Sequence, residues 1–476
     1  MLNIMSNKIT IVSIVVVFLL LGLSIITEGC SIPSINGKSS NEPPITPEDE
    51  GDHYPMAYEI WFYHAALTFE NGQRWDALAT FVYFMNKTKD GYVEGSSFIR
   101  NRLWNIETCE CYDYLHFDLF PGEFKIRKNE VNLTYYNSSG QGLFPNYKFY
   151  VDDDVHNIKT DFKFHATSYP CWLAEESMNR KVPTGFNGYL SAYFIPVLEV
   201  EGNVTINGTT YNATGVAYFE HDFCDCTFGE PFTIYSLGEL RRNLQLVRSY
   251  IKWYLKQAFF NRPKVNPSWY KSNDYIFGWI WNWNVFENGW SIVIFRPTIL
   301  WKAGGKIPIF LYLSKDGENY IEIGYAYWRN IREKYIERAD IYIPIEYEII
   351  ACKGDAELYM KYNASTGITE LFKSDLMPDT KMESCTIYCC GNATGYYKDE
   401  NGKVLLYGCG AAEQTRNLPK ILKHRSRDIE LFLPPNGLGI TIKVRSHRLG
   451  FERFLKIQIR PKLEIEFYIK RIPQTY

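Results

Sequence analysis

The 476-residue chain is 46% apolar and 16% aromatic, long enough for two or three domains with large cores and too apolar for a disordered chain. Its 51 basic and 54 acidic side chains leave a net charge of −3, with no run of Lys or Arg able to track a phosphate backbone, so nucleic acid is not an expected partner.

Ile9 to Ile26 is an uninterrupted stretch of apolar and small residues, preceded by Lys8 and followed by Glu28, Glu42, Glu48, Asp49, Glu50 and Asp52. That asymmetry keeps the N-terminus in the cytoplasm and sends the body across a membrane. The length of residues 1–30 fits an uncleaved signal-anchor or a cleaved signal peptide, and Cys30 after Gly29 allows a lipidated cysteine. Every version leaves the body on the extracytoplasmic side with the membrane as a partner. Asn86, Asn132, Asn137, Asn203, Asn207, Asn212, Asn363 and Asn392 each begin an Asn-x-Ser/Thr sequon, the acceptor of a secreted glycoprotein. Residues 31–55, rich in Pro, Ser, Asn and acids, are expected to form a flexible stalk.

From residue 56 the pattern is of strands. Asn71-Gly72, Asn207-Gly208, Asn288-Gly289, Asp316-Gly317 and Asn401-Gly402 sit between extended runs and predict tight antiparallel hairpins. The C-terminal "KLEIEFYIKRI" alternates as a half-exposed strand should. One segment differs: Leu237, Leu240, Leu244, Val247, Ile251, Leu255 and Ala258 recur at helical spacing behind a Ser236/Glu239 capping box, predicting an amphipathic helix over 236–262. Packed over a barrel or resting on a membrane surface, it divides two β-rich blocks, 56–235 and 263–476. "FENG" closes an aromatic strand at the front of each, Phe69 to Gly72 and Phe286 to Gly289, as duplicated β-barrels would show.

The first strand, "YEIWFYHAALTF", places Glu59, Trp61 and Tyr63 on one side. A carboxyl desolvated among rings has a raised pKa and can protonate an alkene; the plain alternative is a strand-end acid reaching solvent or an Arg. His221, between Glu220 and Asp222, is a proton acceptor at a barrel mouth or a satisfied core histidine. Cys109 with Cys111, and Cys224 with Cys226, put paired sulfurs on one strand face, while Cys385, Cys389, Cys390 and Cys409 fall in the second block. Four thiolates could bind zinc, but in an oxidising compartment the ten cysteines that remain once Cys30 is set aside, an even number, predict disulfides. No phosphate-cradling Gly loop, Gly-x-Ser-x-Gly or His-Glu-x-x-His occurs, so neither cofactor nor resident metal is expected.

The succession "EIWFYHAALTFENGQRW", "GYLSAYFIPVLEVEGNVTINGTTYNATGVAYFEHDF" and "WIWNWNVFENG" resembles the lipocalin-like superfamily of carotenoid hydratases, AttH-type secreted proteins and fungal pericyclases. The resemblance runs from about Tyr54 onward and implies a mainly β chain of two consecutive lipocalin-like antiparallel β-barrels, with the helix inserted. It aligns Glu59, Trp61 and Tyr63 with the first motif. Glu220, His221 and Phe223 fall where Asp, His and Trp are usual, and Asn282 falls between Trp281 and Trp283 where Asp is usual; these departures weaken a hydratase assignment. The expected function is binding or carriage of an apolar ligand, an isoprenoid or lipid, near Trp61, Tyr63, Trp281 and Trp283. The alternatives are an acid–base hydratase or cyclase using Glu59 and His221, and a structural envelope glycoprotein with filled barrels.

Overall fold

The computed structural model describes residues 44–226, 233–261, 263, 278–297, 305–339, 341–372, 382–419, 429–432, 439–446, 451–458 and 464–471. The apolar segment Ile9–Ile26 and the first part of the expected stalk lie outside them. Among the described residues no helix is long and apolar enough to cross a membrane.

The first block contains β1 (Tyr58–Phe69), β2 (Arg74–Thr88), β3 (Gly91–Asn105), β4 (Cys111–Phe120), β5 (Phe124–Ile126), β6 (Val131–Tyr135), β7 (Ser138–Leu143), β8 (Asn146–Asp153), β9 (Ile158–Ala166), β10 (Cys171–Trp172), β11 (Val182–Pro183), β12 (Tyr189–Ile206) and β13 (Thr209–Cys224). They form one antiparallel sheet in the order β4-β3-β2-β1-β13-β12-β9-β8-β7-β6-β5, with β10 and β11 beside β12. The edge strands β4 and β5 are joined directly by residues 121–123, so the sheet is nearly a closed barrel. The second block, β14 (Gly278–Phe286), β15 (Ser291–Pro297), β16 (Gly305–Ser314), β17 (Tyr320–Ile336), β18 (Ile341–Lys353), β19 (Ala356–Phe372), β20 (Met382–Asp399) and β21 (Gly402–Pro419), is a closed eight-stranded barrel. β22 (Ile429–Phe432), β23 (Gly439–Ser446), β24 (Phe451–Gln458) and β25 (Glu464–Arg471) make a separate four-stranded sheet, which includes the expected final strand.

All five Asn/Asp-Gly dipeptides close hairpins between consecutive strands. At Asn207 and Gly208 φ is 51° and 83°, a pair of left-handed residues that matches the twist of the flanking strands. The two "FENG" turns share their hydrogen bonds as well as their letters. Phe69 N–H donates to Gln73 O (2.9 Å) and Gly72 N–H to Phe69 O (2.8 Å); Phe286 N–H donates to Trp290 O and Gly289 N–H to Phe286 O, both at 2.9 Å. Each barrel also pairs its first strand with its last, β1 with β13 and β14 with β21.

In β1 the row Trp61, Tyr63, Ala65, Leu67 and Phe69 enters the first barrel's core with Phe81, Phe149, Phe162 and Phe219. The opposite row, with Tyr58 and Phe62, joins Leu78, Phe194 and Tyr218 in a second core shared with Trp283, Val293, Phe295, Phe310 and Tyr312 of the other barrel. Both faces of β1 are therefore buried, which explains why the strand is apolar on both sides. In β14 the rows are reversed in chemistry: Ile280, Asn282 and Asn284 are fully buried on the row opposite Trp281 and Trp283, whose indole N–H groups donate to Tyr218 Oη (2.6 Å) and Pro196 O (2.5 Å) of the first barrel.

Two helical turns and one long helix complete the described residues. α1 (Pro47–Glu50) and α2 (Glu175–Met178) are single turns, and α3 (Leu237–Phe260) is the expected amphipathic helix. Ser236 caps it, its Oγ accepting the Glu239 N–H at 3.1 Å. The packed face is Leu246, Tyr250 and Trp253, with the Trp253 ring stacked on Phe310 at 5.7 Å.

Two expectations need correction. Residues 44–55 are not stalk: Ile45 and Glu50 are buried, Trp172 Nε1–H donates to Pro44 O at 2.9 Å, and the Phe144 N–H donates to the Glu50 carboxylate at 2.9 Å. The segment plugs the end of the first barrel. The cysteines form no disulfide among the described residues. Cys111 pairs across from Trp104 near Asp76 and Ala66, whereas Cys224 lies opposite Tyr58. The two pairs therefore sit at opposite ends of β1, about 27 Å apart at strand rise, beyond any bridge. Of the eight sequon asparagines, six are exposed and Asn132 and Asn363 are half-buried, so none is shut away from a glycan.

Candidate functional site

Antiparallel register assembles the site at the plugged end of the first barrel. Glu59 in β1 lies between Tyr83 of β2 and Phe223 of β13, and Trp61 lies opposite His221. Inward-pointing neighbours on adjacent strands touch. Tyr83 Oη–H donates to Glu59 Oε2 at 2.8 Å, and His221 Nε2 meets Glu59 Oε1 at 2.9 Å. The plug supplies the rest. His53 donates its backbone N–H to both carboxylate oxygens (3.1 and 3.2 Å), and its Nδ1 lies 2.9 Å from Oε1. Asp49 presents its carbonyl to His221 Nδ1 at 3.2 Å. Ring packing fixes both imidazoles: Trp61 stacks on His221 at 4.7 Å, and Phe223 on His53 at 3.7 Å. Glu59 and His221 are wholly buried.

Burial pushes the Glu59 carboxyl up, but the hydrogen bonds from His221 and His53 outweigh it and hold the group below its ordinary value. Burial drives the His221 ring down by more than its bond to Glu59 restores. The resting pair is thus a carboxylate beside a neutral ring. The carboxylate fixes the ring's single proton on Nε2, leaving the Nδ1 lone pair against the Asp49 carbonyl. A second proton, taken at Nδ1, converts that repulsive contact into a hydrogen bond and leaves an imidazolium against a carboxylate. His221 is poised to accept and return a proton.

Two polar groups beside His221 are buried without a hydrogen-bond partner among the described residues: Trp61 Nε1–H and Tyr193 Oη. Tyr193 meets the His221 ring edge-on at 5.6 Å. Orphaned buried donors call for an explanation, and an acceptor brought by a water or ligand supplies one.

Glu59, Trp61, Tyr63 and His221 therefore share the first barrel's interior, as the strand alternation implied. Trp281 and Trp283 do not join them. They point out of the second barrel into the joint between the two, because β14 turns its asparagines inward and the joint demands an apolar row. Nor does the joint enclose much space: a cavity of about 20 Å³ lies there beside His64, Arg102, Glu220 and Glu413, room for one water. A groove of about 1010 Å³ runs over the sheet elsewhere, lined by Lys148, Lys163, His165, Glu199 and Glu201 among others, and Glu59 does not line it.

Sequence reasoning missed His53, Tyr83 and Asp49. The only signal was "DEGDHYP", a histidine among acids just ahead of the first strand, hidden by its stalk-like composition. It also missed a buried cluster where the barrels meet. There His64 Nε2 lies 2.5 Å from Asp76 Oδ1 and 3.7 Å from Cys390 Sγ, and Arg102 reaches both Asp76 (3.3 Å) and Cys390 (3.4 Å). Two triads, His53/Glu59/His221 and His64/Asp76/Cys390, have ligand atoms close enough to hold a metal ion. In the second the Arg102 guanidinium already stands in the place of a cation.

No known protein family and no curated protein matches the sequence. Solved structures do. An AttH-like protein of Nitrosomonas europaea superposes with a TM-score of 0.51 at 13% identity, over 82% of this chain and 99% of that one. Kievitone hydratase of Nectria haematococca gives 0.47 at 12% identity over 81% and 93%, and CghA bound to Sch210972 gives 0.43 at 10% over 76% and 88%. At such identities the likeness concerns fold alone. The chain shares the two-barrel fold of the Nitrosomonas europaea structure.

Proposed function

We propose that the first barrel carries out acid–base chemistry on a small, largely apolar, unsaturated molecule, with Glu59 and His221 exchanging the proton. The observation that supports this most is a fully buried carboxylate held by two histidines and a phenol inside an aromatic wall. A carrier of apolar cargo has no use for such a group, and Trp61 Nε1 and Tyr193 Oη beside it are buried without a partner among the described residues. In the proposed step His221, having taken a second proton from solvent, passes it through the His221–Glu59 pair to an alkene carbon. A water or hydroxyl oxygen of the ligand closes on the resulting cation, and its proton returns to His221. Trp61 and Tyr193 would orient that oxygen, and aromatic faces would stabilise the cation. Entry requires the plug to move, since residues 44–55 cover the cluster.

The test begins with mass spectrometry of small molecules that co-purify with the full chain, alongside a panel of polyprenyl alcohols. Each is then incubated with the protein in deuterated water. Wild type should place deuterium on carbon, while Glu59→Gln and His221→Ala should lose about 10²-fold or more in rate and still retain the molecule. Equal turnover by the variants, or binding with no carbon-bound deuterium in wild type, would refute the proposal; the second result would indicate a carrier.

A further inference from the structure

α3 turns the wrong side inward for an ordinary amphipathic helix. At 100° per residue, the side against the barrels is Glu239, Asn243, Leu246, Tyr250, Trp253 and Gln257. Its most buried members are amides: Asn243 donates to Gly185 O and Gly188 O, both at 2.8 Å. Arg242 also belongs to this side, stacked over Tyr189 at 4.8 Å. The leucine stripe that defines the helix in the sequence lies on the opposite side. Leu240, Leu244, Val247 and Ile251 are half-buried there, and Leu237, Leu255 and Phe259 are 79, 46 and 79% exposed. Beside that stripe runs a second one, Arg241, Arg248, Lys252 and Lys256, all exposed.

We propose that this outer side of α3 lies on the surface of an anionic bilayer, apolar stripe in the acyl boundary and basic stripe at the phosphates. Charge argues for the occupant. Five basic residues against Glu239 give the helix a net charge of +4, in a chain whose total is −3. The positive charge is thus concentrated on one element of an otherwise acidic protein, as attraction to anionic lipid requires. Shape argues the same way. The 24-residue helix makes a ridge about 36 Å long, and an interfacial helix needs an apolar–polar boundary rather than a matching protein contour. The chain also carries the apolar stretch Ile9–Ile26, which seeks the same environment. The proposal is independent of the chemistry assigned to the first barrel.

The full chain, reconstituted in nanodiscs of phosphatidylcholine with or without phosphatidylserine, tests it by hydrogen exchange. Exchange of peptides within Leu237–Phe260 should slow by about an order of magnitude when phosphatidylserine is present and recover in high salt. Arg241→Glu with Lys252→Glu should restore the rate seen in phosphatidylcholine, and Leu255→Ser with Phe259→Ser should weaken protection while leaving the thermal melt unchanged. Identical exchange in the two lipids would overturn the proposal, as would protection by a soluble acidic protein with none from the bilayer.

Discussion

Glu59 holds four polar groups through five contacts with its two oxygens, so its loss should register in stability before any reaction is assayed. Glu59→Gln keeps the shape but removes the charge facing His53 and His221, and should lower unfolding free energy by about 1–3 kcal/mol in urea titration; Tyr83→Phe should cost about 1 kcal/mol. A wild-type midpoint in both would show the cluster to be slack. Glu50 makes the plug sensitive to pH. Burial pushes its carboxyl up to about 7, against the hydrogen bonds from Tyr147 and Phe144. A raised carboxyl contributes fully below its ordinary value near 4.5 and loses that contribution as pH climbs through 7, an effect of order 3 kcal/mol at most. Protease nicking within residues 44–55 should therefore increase between about pH 4.5 and 7, and Glu50→Gln should flatten the response. A slope that survives the substitution would assign the effect to another group.

At the level of elements, α3 makes a close approach to β17. A methyl group on Gly324 of β17 would come within 2.1 Å of the Trp253 ring, so Gly324→Ala should displace the helix and cost about 1–3 kcal/mol, seen as a change in tryptophan fluorescence. An unchanged spectrum would mean that the helix shifts freely. The same helix shows what the sequence allows one to see. Its existence, its Ser236 cap and the five hairpin turns follow from residues within four positions of one another, and local chemistry settles them. Which stripe of α3 packs, and which row of β14 faces the lumen, depends on the partner surface. Trp281 and Trp283 could not be placed until the first barrel's apolar outer row was known. Residues 44–55 were illegible for the same reason, since Glu50 and Pro44 owe their order to Phe144, Tyr147 and Trp172, about a hundred positions away or more.

Over the whole molecule, the two barrels meet through a largely apolar joint that also buries the His64–Asp76–Arg102–Cys390 cluster, so they should unfold together. Trp283→Ala would open that joint and cost about 3–5 kcal/mol. Calorimetry should then show the wild type's one transition split into two; two transitions already present in wild type would mean independent domains. The pairing of β1 with β13 has a further consequence, concerning time rather than stability. Tyr58 finds its partner at Cys224, and Gly278 finds its own at Arg416. During synthesis each opening strand must wait with one edge bare until its ring's last strand has emerged, and such distant closure is slow. Chaperones attending this chain should bind longest during those two intervals.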